Sequence, residues 1–109
     1  MNIKWKIRDI DYIESKDDLE KVAVNVHFHV ECRSEDGGYG FAWGNQYLNV
    51  DNINKDAFTP FDSITEAQAF EWMFKEMGDY HKGELEHYTI KQAMKNDQPS
   101  RKSGLPSNW

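Results

Sequence analysis

Apolar and polar positions alternate without interruption over residues 22–32. Val22, Val24, Val26, Phe28, Val30 and Cys32 fall on one parity, and Ala23, Asn25, His27, His29 and Glu31 on the other. A period of two marks a strand with one buried face, and this one reads as the centre of a small antiparallel sheet. Ahead of it, Ile3, Trp5 and Ile7 alternate with Lys4, Lys6 and Arg8 in a first strand. The apolar parity then slips to Ile10 and Tyr12, which predicts a bulge or strong twist near Arg8 and Asp9. Residues 14–18 make a polar turn. Beyond the central strand, Asp36, Gly37 and Gly38 predict a hairpin reversal. Tyr39, Phe41 and Trp43 then alternate with Gly40, Ala42 and Gly44 in a third strand. Gly44 and Asn45 mark a break, followed by a short extended piece through Tyr47, Leu48 and Val50.

The period changes after residue 62. Residues 51–62 contain Pro60 and show no period, so they read as a crossing loop pinned by Phe58 and Phe61. Thr65 with Gln68 makes a capping box, and Ser63 with Glu66 offers the same chemistry in an earlier frame. Phe70, Met73, Phe74 and Met77 follow at i, i+3, i+4 and i+7, a single apolar stripe on a helix that Gly78 is placed to end. A second helix is predicted from about Asp79 or Glu84 to Lys95, with a looser stripe of Leu85, Tyr88, Ile90, Ala93 and Met94; Gly83 weakens its start. From residue 96 onward Pro, Ser and Gly replace periodicity. The fold class is α+β: a three-stranded antiparallel meander with two helices packed on one face, in a single domain over residues 1–95. Residues 96–109 form an extended or disordered C-terminal arm.

Placing the apolar stripes on one side sets a register. A first turn around Lys16 and Asp17 puts Ile7 opposite Val26, Trp5 opposite Phe28 and Ile3 opposite Val30. A second turn around Asp36 and Gly37 puts Cys32 opposite Phe41 and Val30 opposite Trp43. The reverse face then gathers Lys4 beside His29, Lys6 beside His27 and Arg8 beside Asn25, with Lys21 and Arg33 further along. Glu31 is the lone acid of the central strand on that face. The helices carry Glu66, Glu71, Glu76, Asp79, Glu84 and Glu86. A polarised molecule is expected, basic on the open sheet and acidic on the helical side.

Composition narrows the function classes. A chain of 109 residues that is 39% hydrophobic and 14% aromatic can bury one core without metals or disulfides. Cys32 is the single cysteine, which rules out an intramolecular disulfide and a thiolate zinc cluster, and its place on the apolar parity predicts an inert, buried thiol. Neither a secretory leader nor a bilayer-spanning run is present, so the expectation is a soluble protein of a reducing compartment, or of a particle assembled in one, with no membrane partner. The net charge of -6 argues against general binding to nucleic acid.

Candidate chemistry is sparse. His27 and His29 share a strand face at a spacing that suits zinc or copper if a third ligand converges, but the neighbouring lysines oppose a divalent ion, and no metal is expected. His81 and His87 are six positions apart, off the helical repeat, and read as surface residues. The carboxylates lack an apolar pocket to raise one pKa for acid catalysis. The serines lack a nucleophile elbow, and Gly37, Gly38, Gly40 and Gly44 fit a hairpin rather than a phosphate loop. No enzyme and no cofactor are expected. Two binding candidates remain. One is the basic sheet face formed by Lys4, Lys6, Arg8, His27, His29 and Arg33, suited to an acidic protein patch or phosphates; the alternative is an ordinary solvated sheet face. The other is the arm, whose Leu105, Pro106 and Trp109 could dock on a neighbouring subunit, which leaves oligomerisation open.

The order of a Trp5 strand, a Val-rich strand and a Gly hairpin, then Phe58-Thr59-Pro60-Phe61 and Ile64-Thr65-Glu66 leading to Phe70-Glu71-Trp72, resembles a group of small uncharacterised proteins from tailed bacteriophages. The resemblance covers most of the chain, including the close near a Pro and a Trp. It carries over no site residues. It implies a phage source, located in the virion or in the cytoplasm of an infected host cell. The expected function is a non-enzymatic protein-interaction module, as a minor virion or assembly component. The alternative is an early counter-defence inhibitor that binds a host protein or a nucleotide signal.

Overall fold

The computed structural model describes residues 2–51, 53–96 and 103–109. Strands β1 (Asn2–Lys16), β2 (Leu19–Arg33) and β3 (Tyr39–Tyr47) form an antiparallel meander in the order β1-β2-β3, followed by helices α1 (Glu66–Met77) and α2 (Asp79–Lys95). The α+β class and the predicted element order are therefore as the sequence implies.

The first hairpin turns on Asp17 and Asp18, both with positive φ, the backbone that a two-residue reversal requires. The turn centre sits one residue later than expected, which shifts every partner by two. Ile7 pairs with Phe28, Trp5 with Val30 and Ile3 with Cys32, rather than with Val26, Phe28 and Val30. A shift of two leaves the faces unchanged. The predicted irregularity at Arg8 is present as an unpaired residue of β1 between Ile7 and Asp9. A second shift, where β2 skips Val24, cancels it. The pairings expected for the cations change accordingly: Lys4 lies beside Glu31, Lys6 beside His29, and Arg8 is the bulge itself rather than a neighbour of Asn25.

The second hairpin differs by one residue, which inverts β3. A five-residue loop, residues 34–38, is closed by Ser34 N–H donating to the Gly38 carbonyl at 2.8 Å and by Gly38 N–H donating to Ser34 Oγ at 2.7 Å. Cys32 therefore pairs with Gly40 and Val30 with Ala42, instead of with Phe41 and Trp43. Tyr39, Phe41 and Trp43 face away from the helices. The reason lies in α2, which crosses the sheet so closely at Gly40 that a Cβ there would overlap the Thr89 carbonyl. Only the Gly40, Ala42 and Gly44 parity is small enough to face that backbone. The third strand also runs on through Gly44 to Tyr47 without the expected break.

Thr65 caps α1, its hydroxyl accepting from Gln68 N–H at 3.2 Å, and Gly78 with φ 82° separates the two helices. The core is Val26, Phe28, Met73 and Met77, flanked by Trp5, Ile7, Leu48, Phe70, Phe74 and Leu85. Trp5 packs on Phe28 at 5.4 Å between ring centroids and edge-on to Phe74 at 5.0 Å, geometries that suit the aromatic quadrupole. Its Nε1–H donates to Glu86 of α2 at 2.8 Å, tying the first strand to the last helix. The stripe expected for α2 needs correction: Leu85, Thr89 and Ala93 turn inward, whereas Tyr88 and Met94 are exposed. A helix lying on glycine presents its small residues, because bulk at that contact would hold the backbones apart.

Between the sheet and α1 run two 3-10 turns, Lys55–Ala57 and Phe61–Ser63. Phe61 is held by Tyr12, 4.4 Å between ring centroids. Part of the predicted arm lies outside the described residues; within 103–109, Leu105 and Trp109 are 79% and 85% exposed, and Pro106 is exposed as well.

Candidate functional site: the open sheet face

Both helices pack on one side of the meander, and pairing fixes what the other side displays. Five cross-strand rows result: Asn2-Arg33-Tyr39, Lys4-Glu31-Phe41, Lys6-His29-Trp43, Asp9-His27-Asn45 and Asp11-Asn25-Tyr47. Lys4, Lys6, His27, His29 and Arg33 thus share the face, as the sequence predicts. Arg8 is at its rim, where it lines a shallow depression with Asp9, His27 and Trp43.

The face is divided along its length. Its first three rows bring Lys4, Lys6 and Arg33 together with Tyr39, Phe41 and Trp43, against the single carboxylate of Glu31. Arg33 lies over the Tyr39 ring at 4.7 Å, Tyr39 stacks on Phe41 at 6.2 Å, and Phe41 packs on His29 at 5.1 Å. Tyr39 donates its hydroxyl to Glu31 at 2.7 Å. That bond holds the Glu31 carboxyl below its ordinary range and pushes the Tyr39 phenol up. Next to them Trp43 is 72% exposed, and Nδ1 of His29 is enclosed with no hydrogen-bond partner among the described residues.

The last two rows are acidic and amide-rich, a departure from a uniformly basic face. The Arg8 bulge rotates Asp9 and Asp11 onto this side. Asp11 then meets His27 Nε2 at 2.8 Å and accepts from Asn25 Nδ2 at 3.1 Å, while Asn25 accepts from Asn45 at 3.1 Å. The His27 bond, and then the Asn25 bond, lower the Asp11 pKa. Among the described residues no group of three His, Cys, Asp or Glu side chains is placed to hold a metal ion, and no helix is long and apolar enough to cross a membrane.

Four residues of this surface, Tyr39, Phe41, Trp43 and Tyr47, were assigned to the core or left uncertain by the apolar alternation alone. The signal that locates them is the opposite parity. A run of Gly40, Ala42 and Gly44 in a strand is the imprint of a close helix, and it obliges the intervening aromatics to face outward.

Another concave feature is a cleft of ≈ 410 Å³ lined by Val22, Leu48, Phe58 and Trp72, with Lys75 and Glu76. It holds no cluster of titratable groups. No curated protein and no solved structure matches the chain. A family model described as a domain of unknown function, DUF7936, nonetheless matches residues 1–109, and the chain belongs to that family.

Proposed function

We propose that the protein is a non-enzymatic interaction module that docks an acidic protein segment on the cationic, aromatic half of its open sheet. The observation that supports this reading is the placement of a solvent-facing Trp43 beside Lys6, His29 and the Arg33–Tyr39 stack on a face that neither helix covers. Exposed Trp, Tyr and Arg grouped on a rigid element are the residue types that supply most of the energy at protein interfaces, and the lysines steer an acidic partner toward them. With the resemblance to tailed-phage proteins, the partner would be a virion or assembly protein. Proteomic analysis of purified particles tests that source: the protein should be present at fixed stoichiometry, and its absence removes the virion role.

A second reading is supported by the same rows. Aromatic rings flanked by cations also accept a nucleobase and its phosphate, so a counter-defence protein could sequester a nucleotide signal there. A thermal-shift screen against nucleotides separates the two readings. Stabilisation by a nucleotide that Lys4→Glu/Lys6→Glu abolishes favours sequestration; capture of an acidic protein that the same variant abolishes favours docking.

A further inference from the structure

The two outer edges of the sheet are built differently. β1 carries seven charged residues in fifteen, Lys4, Lys6, Arg8, Asp9, Asp11, Glu14 and Lys16, which is how a free edge is kept from pairing. β3 carries neither a charged residue nor a proline. Its first half is protected in another way. Gln92 Oε1 accepts from the outward Phe41 N–H at 2.8 Å, and Asn96 Nδ2 donates to the outward Tyr39 carbonyl at 2.9 Å. Both side chains come from the end of α2. Traced toward its start, α2 crosses away from this edge to reach Trp5 of β1 through Glu86, so it leaves Trp43, Asn45 and Tyr47 behind.

The alternation of the ladder settles which way these residues point. Phe41 N–H and Tyr39 C=O are directed away from β2, and residues of the same parity, Trp43 and Asn45, direct theirs the same way. Their side chains are uncharged, and Trp43 and Tyr47 are 72% and 69% exposed. This strand end is uncharged and exposed; the Tyr47 carbonyl is met by the neighbouring Gln46 Nε2 at 3.0 Å, an exposed local bond that an incoming strand can replace, so the stretch is a template for one more strand.

We propose that the Trp43–Asn45–Tyr47 edge pairs antiparallel with the same edge of a second copy, about a two-fold axis at Asn45, to give a continuous six-stranded sheet. The segment is self-complementary. In that register Trp43 of one protomer lies opposite Tyr47 of the other at both ends, an aromatic pair of the type that stabilises adjacent strands, and the two Asn45 side chains meet on the axis. An uncharged edge has nothing with which to select a charged peptide, whereas two copies of it bring no like charges face to face. The assembly closes at two, because each copy uses the exposed, uncharged end of β3 and the Gln92 and Asn96 caps block extension toward Tyr39. The two open faces become one surface, so docking on that surface would be bivalent, but dimerisation does not depend on the docking reading.

Sedimentation equilibrium of the full chain at high micromolar concentration should show a reversible dimer. Asn45→Lys, which sets two ammonium groups together on the axis, should weaken it by about tenfold or more while circular dichroism stays unchanged. Asn45→Cys should be linked between copies by a short bis-maleimide, and Glu14→Cys, on the guarded edge, should not. Lys4→Glu/Lys6→Glu should leave the dimer intact, which separates this proposal from the docking site. A wild-type chain that sediments as a monomer overturns the proposal, and so does a dimer that Asn45→Lys leaves undisturbed or that links equally through residue 14.

Discussion

Gly40 of β3 faces the carbonyl of Thr89 on α2 with no room for a methyl group between them. This approach seats α2 on the sheet and selects the parity of β3, so the aromatic surface on the other side is its consequence. Gly40→Ala should destabilise the fold by about 1–3 kcal/mol, the usual cost of overpacking, because the atoms in the way are backbone and cannot rotate aside. Gly44→Ala should cost less, since the group it meets, at 3.2 Å, is the far end of the Phe28 ring. Urea midpoints of the two variants check the order.

Thr65 offers a cleaner test of local structure. It is exposed, and its hydroxyl accepts from Gln68 N–H, which closes the first turn of α1. Thr65→Ala should lower stability by about 1 kcal/mol and Thr65→Asp should restore most of it, as caps do generally. Equal loss in both variants would mean that something other than the cap is at work.

The Trp5–Glu86 hydrogen bond links the ends of the chain's fold across 81 positions of sequence. Glu86→Ala should cost about 1 kcal/mol, because the bond is to a charged group but lies where water can partly replace it. The change should also appear in the near-ultraviolet dichroism of Trp5. An unaltered indole signal would show that packing on Phe28 and Phe74 alone orients the ring.

Asp11 makes the fold sensitive to acid. Its carboxyl is held below the ordinary range by the bond to His27, then by the bond to Asn25, so it stays ionised in the folded chain to lower pH than in the unfolded one. A depressed carboxyl contributes stability that is fully present above its unfolded value, about 3.9, and is lost as pH falls through the folded value. The share of the acid limb that Asp11 contributes should therefore be lost as pH falls from its unfolded value toward its folded one, and should shrink in His27→Ala. An NMR titration of Asp11 should show its pKa rising toward the ordinary range in that variant. An unchanged titration would remove His27 as the cause.

Alternation over residues 22–32, the slip after Arg8, the Thr65 cap and the Gly78 stop were all legible along the chain, because each depends on neighbours within a turn or a strand. So was the presence of Lys4, Lys6, His27, His29 and Arg33 on one face, since moving the first turn by one residue leaves face assignment intact. Two outcomes were not legible. A bulge that turns Asp9 and Asp11 beside His27 depends on which residue is left unpaired, and that is decided by the partner strand. The facing of β3 depends on how near a helix comes. Judged by hydrophobicity alone, Tyr39, Phe41 and Trp43 belong inside and Gly40, Ala42 and Gly44 outside. The structure reverses them because α2 requires close contact at Gly40, and excluded volume at that contact outweighs the burial of three rings. The chain's own pattern determined which segments are strands and helices; only tertiary packing, through steric overlap between residues 49 positions apart, decided which side of the third strand meets solvent.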